Sequence, residues 1–329
     1  MKETFKAINA KLKTIPFFRD TLTGTTLSIL VAFIVISIVI SFLSPYYLTL
    51  GNFKNIGLYA SIIGIMAAGA TVAMLMAGLD LTQHAVAAFA SVLTAILAIR
   101  LGVPLWITLV IVLGACVVIG MFNGVLIAVF NIPAMIATMG SQYILRGISY
   151  ILTGAETIVF QNKALAFIGR GTILGVPNSI LMMLIVFLTL SFVLNKTAYG
   201  RKVYAVGSNE RSAYLSGINP VKTKLIAYVI SAFCSGIAGI LTMSQVGASV
   251  PSSGVGSEME IIAAVYLGGV AATGGRGSLF GTFLGIMVIC VINNGLTLAG
   301  VQSYWQTLVR GVVILVAVYM NTLQSKRAL

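Results

Sequence analysis

The side chains able to do chemistry are sparse in this 329-residue sequence, and they do not assemble into a catalytic set. There is no nucleophile–His–acid combination, no HExxH motif and no paired-cysteine motif. His84 is the only histidine, and a histidine without a ligand cluster reads as structural. Cys116, Cys234 and Cys290 are odd in number, widely spaced and inside apolar runs, which suits packing better than a disulfide framework or a zinc site. Gly274-Gly275-Arg276-Gly277-Ser278 superficially resembles a phosphate-cradling loop, but it lacks the lysine and the strand–helix setting. The chain is read as non-catalytic, with no cofactor or metal of its own. If it pumps, the energy comes from an ion gradient or from another polypeptide.

What remains is a set of polar residues in apolar surroundings. Asp80 lies in Gly78-Leu79-Asp80-Leu81-Thr82, between two apolar runs. A charge at the centre of a bilayer costs about 2.5–3.5 kcal/mol, so Asp80 requires a reason. It is a candidate for a substrate pathway or gate. Asn123, Asn293 and Asn294 need partners too, either on another helix or in an aqueous cavity. Arg146 and Arg310 lie near expected span ends, where anchoring at the interface is one explanation. Glu258 and Glu260 open an apolar run and could favour a helix N-terminus, or meet an arginine of an external partner.

The elements that position these residues follow from composition. Apolar residues make up 59% of the chain and charged ones only 8%, against about 25% in an ordinary soluble domain. Mean hydropathy is +1.05. A soluble globular protein and a disordered chain are excluded. The runs are apolar all round rather than alternating, which argues against a transmembrane barrel. The gaps between charges predict ten helical spans, roughly 22–43, 56–77, 83–100, 105–130, 134–153, 178–195, 224–244, 258–274, 279–298 and 304–321. The run 258–274 is the shortest and is rich in glycine.

With the N-terminus inside, fourteen of the twenty Lys and Arg residues fall on the inner side. Only Lys54, Arg100, Lys163 and Arg170 fall outside, and Arg146 and Arg310 fall within spans. That asymmetry places both termini in the cytoplasm, and the net charge of +13 needs no nucleic acid to explain it. Residues 1–21 form a basic N-terminal segment with Phe5, Ile8, Leu12 and Ile15 at near-helical spacing, either an interfacial helix on membrane lipid or a frayed tail. The transmembrane domain covers 22–322 and a cytoplasmic tail 323–329. Small residues recur every four positions at Gly277, Gly281 and Gly285, and at Ala60, Gly64 and Ala68, as close-packing faces within or between subunits. Two glycine-marked interruptions, 78–82 and 268–277, fall one in each half of the chain. They read either as discontinuous helices beside a pathway or as tight cytoplasmic turns.

The longest polar cytoplasmic stretch, 196–223, carries its own punctuation. Ser208 or Asn209 can cap a short helix running to Leu215, Gly217 would end it, and Pro220 bars its continuation. A short capped helix exposed to the cytoplasm suits docking. Tyr199-Gly200-Arg201 through Gly217-Ile218-Asn219 resembles the ATPase-docking loop of ribose-type sugar ABC importer permeases, with Glu210, Ala213, Gly217 and Ile218 in the pattern of their coupling helices. Gly78-Leu79-Asp80-Leu81, the glycine-rich stretch from Gly268 to Thr282, and Asn293-Asn294-Gly295-Leu296 followed by Tyr304 are similar to further motifs of that family, in the same order. After Leu81 the family commonly continues Ser-Val-Gly, whereas this chain has Thr82-Gln83-His84.

The resemblance implies an all-α, polytopic membrane protein with the type II ABC importer permease fold and an internal repeat, in a bacterial inner membrane. It implies a second permease subunit, identical or paralogous, and a cytoplasmic ABC ATPase that binds ATP and Mg. It also implies an extracytoplasmic sugar-binding protein. Ser208, Asn209, Glu210, Ala213, Gly217 and Ile218 would then be ATPase-docking residues. A pentose or hexose is the implied cargo, and related permeases carry branched-chain amino acids. A gradient-driven secondary transporter is the competing class. It requires several buried carboxylates as ion ligands, and in the sequence only Asp80 qualifies.

Overall fold

The computed structural model describes residues 24–160, 162–302 and 304–313, together with 315 and 319. The N-terminal segment 1–21 and the tail 323–329 lie outside the described residues. The chain is almost entirely helical, because its apolar runs can satisfy their backbone polar groups in lipid only within themselves. In order the helices are α1 Gly24–Leu43, α2 Leu50–Met74, α3 Gln83–Ala95, α4 Leu105–Ala128 and α5 Ala134–Thr153. Then come α6 Lys163–Arg170, α7 Asn178–Lys196, α8 Ala198–Ser208, α9 Glu210–Leu215 and α10 Pro220–Val246. Last are α11 Glu258–Leu267, α12 Leu279–Leu298 and a helical stretch, 304–313. A π-helical turn, Ile96–Arg100, extends α3. The few strands are two-residue pairs: β1 Ile158–Val159 lies antiparallel to β4 Ala248–Ser249, and β2 Thr172–Ile173 to β3 Val176–Pro177.

Seven helices among the described residues are long and apolar enough to cross a membrane: α1, α2, α3 with its π turn, α4, α7, α10 and α12. Ten were expected. Of the other three, α5 has the length, with 20 residues, but too many polar ones (Gln142, Arg146, Ser149) to be included. The run 304–321 lies partly outside the described residues. The run 258–274 is not one helix. α11 has ten residues, about 15 Å of rise, half the thickness of a bilayer core. It stops at Gly268, and the backbone turns through Gly269, Gly274 and Gly275, whose positive φ values (85°, 79° and 73°) disfavour side-chain-bearing residues.

α10 is the axis of the bundle and packs on α2, α3 and α4, while α12 packs on α1, α2 and α11. Glycines permit the close approaches. A Cβ on Gly239 of α10 would lie 2.1 Å from the carbonyl oxygen of Ala87 in α3. One on Gly281 would meet Gly268 O, and one on Gly285 would meet Ala264 O, each at 2.1 Å. Gly281 and Gly285 therefore hold α12 against α11 and the turn after it, within the subunit. Gly277 does not extend that face, since α12 begins at Leu279. Gly64 faces Met183 and Phe187 of α7, which also makes it an internal contact.

Replacing Gly239 by valine should drive α3 and α10 apart and cost about 1–3 kcal/mol. Gly114, in α4, has open space where its Cβ would be. Thermal unfolding in detergent should show a lowered midpoint for Gly239→Val and little change for Gly114→Val.

Candidate functional site

The α2–α3 interruption spans residues 75–82 and ends in a polar network. Asp80 is 2% exposed, so its carboxylate must be met inside the protein. Oδ1 accepts from the Thr82 amide at 2.9 Å, an Asx-type turn, and from Thr82 Oγ1 at 2.5 Å. Oδ2 accepts from Ser231 Oγ of α10 at 2.6 Å. Asn123 of α4 donates to Thr82 Oγ1 at 3.4 Å and accepts from Ser141 Oγ of α5 at 2.5 Å. Asp80 and Asn123, singled out separately from the sequence, thus belong to one network. It ties the break to α4, α5 and α10.

The second interruption, 268–278, packs directly on the first. The amide of Gly275 donates to Leu75 O at 2.7 Å. The end of α8 closes over both: a Cβ on Gly207 would lie 1.9 Å from Leu75 O, and one on Gly275 would lie 2.6 Å from Ser208 Oγ. Tyr204 of α8 donates from Oη to Gly277 O at 3.0 Å. Burial pushes the Tyr204 phenol up, so it stays a neutral donor. The two breaks and the polar loop therefore meet in one contact.

The loop is more ordered than its polarity suggests. Thr197 caps α8 by accepting from the Gly200 amide, and Val203 and Val206 are buried beneath it. Of the two candidate caps for α9, Asn209 does the work, accepting from the Ser212 amide at 2.8 Å, while Ser208 is the last residue of α8. Gly217 ends α9 at φ 81°, Ile218 N bonds back to Ala213 O at 3.0 Å, and Pro220 opens α10. Ala213 is buried, whereas Glu210 is exposed and ion-paired to Lys224 at 2.7 Å. Such exposed pairs contribute about 0–1 kcal/mol. Tyr214 (67% exposed) and Leu215 (77%) project from this helix; the sequence pattern did not single them out.

A second polar cluster lies at the start of α11. Glu260 is 5% exposed, and its Oε1 accepts from Asn293 Nδ2 of α12 at 2.7 Å and from Tyr59 Oη of α2 at 3.0 Å. Glu258 Oε1 accepts from Gln142 Nε2 of α5 at 2.9 Å. Both open α11, as expected for carboxylates that favour a helix N-terminus, and their side chains also bond to neighbouring helices. Arg146 is 6% exposed and donates from Nη1 to Pro251 O at 2.9 Å. It is drawn inward because the carbonyl of the buried Pro251 needs a donor there. Asn294 exchanges hydrogen bonds with Asn52 of α2 (2.8 and 3.0 Å), a helix-to-helix clasp.

Two cavities meet at this cluster. The larger, about 540 Å³, is lined by Ser257, Glu260, Asn293, Thr307 and Arg310 among apolar residues such as Met259, Ile289 and Ile292. The smaller, about 260 Å³, is lined by Tyr59, His84, Ser91, Thr242, Ser253, Ser257 and Glu260, with Ile62, Met66 and Val250. Of the four sequence-based pathway candidates only Asn293 is on these walls. Glu260, which lines both, reads in the sequence only as a helix-terminal or partner-facing carboxylate and is not among the pathway candidates. Among the described residues no group of three or more His, Cys, Asp or Glu could hold a metal ion.

Comparison with known proteins agrees with this architecture. The family described as "Branched-chain amino acid transport system / permease component" matches residues 52–318. The "Probable ABC transporter permease protein YphD" of Escherichia coli (strain K12) is 38% identical, over 92% of this chain and 91% of its own length. The ribose import permease protein RbsC of the same strain is 37% identical over 89% and 92%, and its D-allose transport system permease protein AlsC is 33% identical over 89% and 91%. No solved structure matches. With that family model spanning most of the chain and helices able to cross a bilayer beneath it, the chain belongs to the permease family so described and is a transmembrane subunit of an ABC importer.

Proposed function

We propose that this chain carries a pentose or hexose across the bacterial inner membrane by alternating access, driven by ATP hydrolysis in separate ATPase subunits. The observation that carries this reading is the contact of α8 with both helix interruptions. An ATPase pushing on α8 and α9 acts at once on the segments that join α2 to α3 and α11 to α12. Ser208, Asn209, Glu210, Ala213, Gly217 and Ile218 shape that docking segment, 196–223, and Tyr214 and Leu215 are the apolar surface that enters the partner. Asp80 is the clamp of the gate and does not itself touch cargo. The ribose and D-allose permeases among the relatives point to sugar, as do cavity walls rich in hydroxyls and amides over apolar faces. A zwitterionic branched-chain amino acid is the second reading. It is favoured by the family's description and by Glu260 and Arg310 sharing one cavity wall.

Ten crossings follow if α5, the α11 half-helix with its return turn, and the run 304–321 are counted. α11 starts after the far end of α10, and the turn behind it reaches Ser208, so this segment passes from one side to the other. Both ends of the chain then lie in the cytoplasm, with Arg201, Lys202, Arg211 and Arg276. The partners are a second permease subunit, the ATPase and an outer binding protein.

Replacing Tyr214 and Leu215 together by alanine should weaken ATPase association about thirtyfold or more, read by co-purification, without lowering the yield of folded permease. Unchanged co-purification would remove the docking assignment. Asp80→Ala should leave the Ser231 and Thr82 hydroxyls unpaired, at a cost of about 1–3 kcal/mol. Uptake into proteoliposomes should fall at least tenfold, while ATPase association persists. Normal uptake would argue against the clamp. Stimulation of ATP hydrolysis by leucine-loaded but not sugar-loaded binding protein would select the second reading.

A further inference from the structure

Asp80 and Glu260 are both buried carboxylates, and they are satisfied in opposite ways. Both oxygens of Asp80 accept hydrogen bonds from the protein. Glu260 takes both of its bonds on Oε1, and Oε2 accepts none among the described residues. A buried charge held only for packing would be replaced at little loss by an apolar side chain, and a half-satisfied one is costly. The Tyr59 and Asn293 bonds fix the carboxylate's orientation and leave one oxygen to spare.

The spare oxygen belongs to a residue that both cavities share. Glu260 and Ser257 line the larger chamber and the smaller one, so they form the partition between them. His84, on the wall of the smaller chamber, has a buried Nε2 without a hydrogen-bond partner among the described residues, and Arg310, on the wall of the larger, a buried Nε without one. Apolar faces complete both linings: Met66 and Val250 in one, Ile289 and Ile292 in the other. Resting on the sugar-importer reading above, we infer that Glu260 is a cargo-binding residue at a station between two chambers, where Oε2 accepts a ring hydroxyl of a pentose or hexose in transit. A metal cation fits the same place poorly. Oε1 already takes two donors, and a hard cation needs several converging oxygens that present lone pairs. A hydroxyl donating to a carboxylate is a strong, directional contact, and its loss discriminates sharply against an analogue without that hydroxyl. One such contact holds cargo long enough to select it and weakly enough to release it.

The test uses the permease assembled with its ATPase in proteoliposomes, supplied with loaded binding protein and offered D-ribose, D-allose and L-arabinose at equal concentration. Glu260→Gln preserves size and the Oε1 acceptor. It should lower uptake of the transported sugar about tenfold or more, while ATP hydrolysis stimulated by loaded binding protein and the unfolding midpoint stay at wild-type values. Glu260→Asp should lose less, and Tyr59→Phe, which releases the carboxylate from one tether, should lose uptake in the same direction. Wild-type uptake by Glu260→Gln overturns the station. So does a loss of uptake that comes with lost ATPase stimulation or a lowered midpoint, which would mark Glu260 as structural. Uptake that depends on a sodium or proton gradient, and loses that dependence in Glu260→Gln, also overturns it in favour of an ion site. If the wild-type assembly takes up none of the three sugars, the sugar-importer reading itself falls, and the station with it.

Discussion

Backbone polar groups inside the protein must find partners there, and the last carbonyls of a helix and the amides of a turn have none within their own element. The structure meets that constraint by setting the two unfinished ends against each other. Leu75 O, freed where α2 stops, accepts the amide of Gly275, freed where α11 has turned back. The approach is possible only because Gly207 has no side chain to fill the space beside Leu75 O. Much of the remaining architecture follows from this junction. α8 must lie flat across it, Tyr204 can reach Gly277, and the α2–α3 break is left to be tied down from its other side by Asp80.

Much of this was legible in the sequence because it depends on local chemistry. Apolar run lengths set α1, α4, α7, α10 and α12 to within about four residues, whereas α2 starts at Leu50, six residues before the expected 56. Asn209, Gly217 and Pro220 mark the start and stop of α9 because caps and breakers act through their own backbone neighbours. What the sequence hid depends on distant partners. The run 258–274 is apolar enough for a span, and only the pairing of its glycines with Leu75 and Ser208 turns it into a half-helix and a return. Arg146 and Glu260 look like interfacial residues until their partners are seen, Pro251 O for the one and Tyr59 and Asn293 for the other. Asn123 and Asp80 are 43 positions apart, and nothing in their spacing announces that Thr82 joins them.

The competing view of the chain as a gradient-driven transporter rested on counting buried carboxylates. The structure adds one, since Glu260 is as interior as Asp80. Number alone does not decide the issue, because the partners matter more. Asp80 is surrounded by two hydroxyls and an amide that all donate to it, and Glu260 Oε1 by a phenol and an amide. Such shells stabilise a fixed anion through hydrogen bonds and offer a cation little. The geometry is that of carboxylates retained to hold helices together.

Coupling then becomes a question of stiffness. α8 is anchored by Val203 and Val206 in the core and by Tyr204 on the second interruption, while α9 beyond it keeps only Ala213 buried. A force applied to the exposed tip of α9 passes through the Asn209 cap into a rigid helix end lodged between two breaks. Each break is flanked by a long helix, so on the proposed reading a small displacement at Gly207 would be levered into tilting of α2, α3 and α12, whose side chains Tyr59, His84 and Asn293 line the two chambers. Because packed interfaces switch between discrete arrangements more readily than they deform, such a junction favours two states over a continuum. On the same reading the chambers and the 196–223 loop, far apart in sequence, are joined through α2, α3 and α12, and those helices would carry the motion.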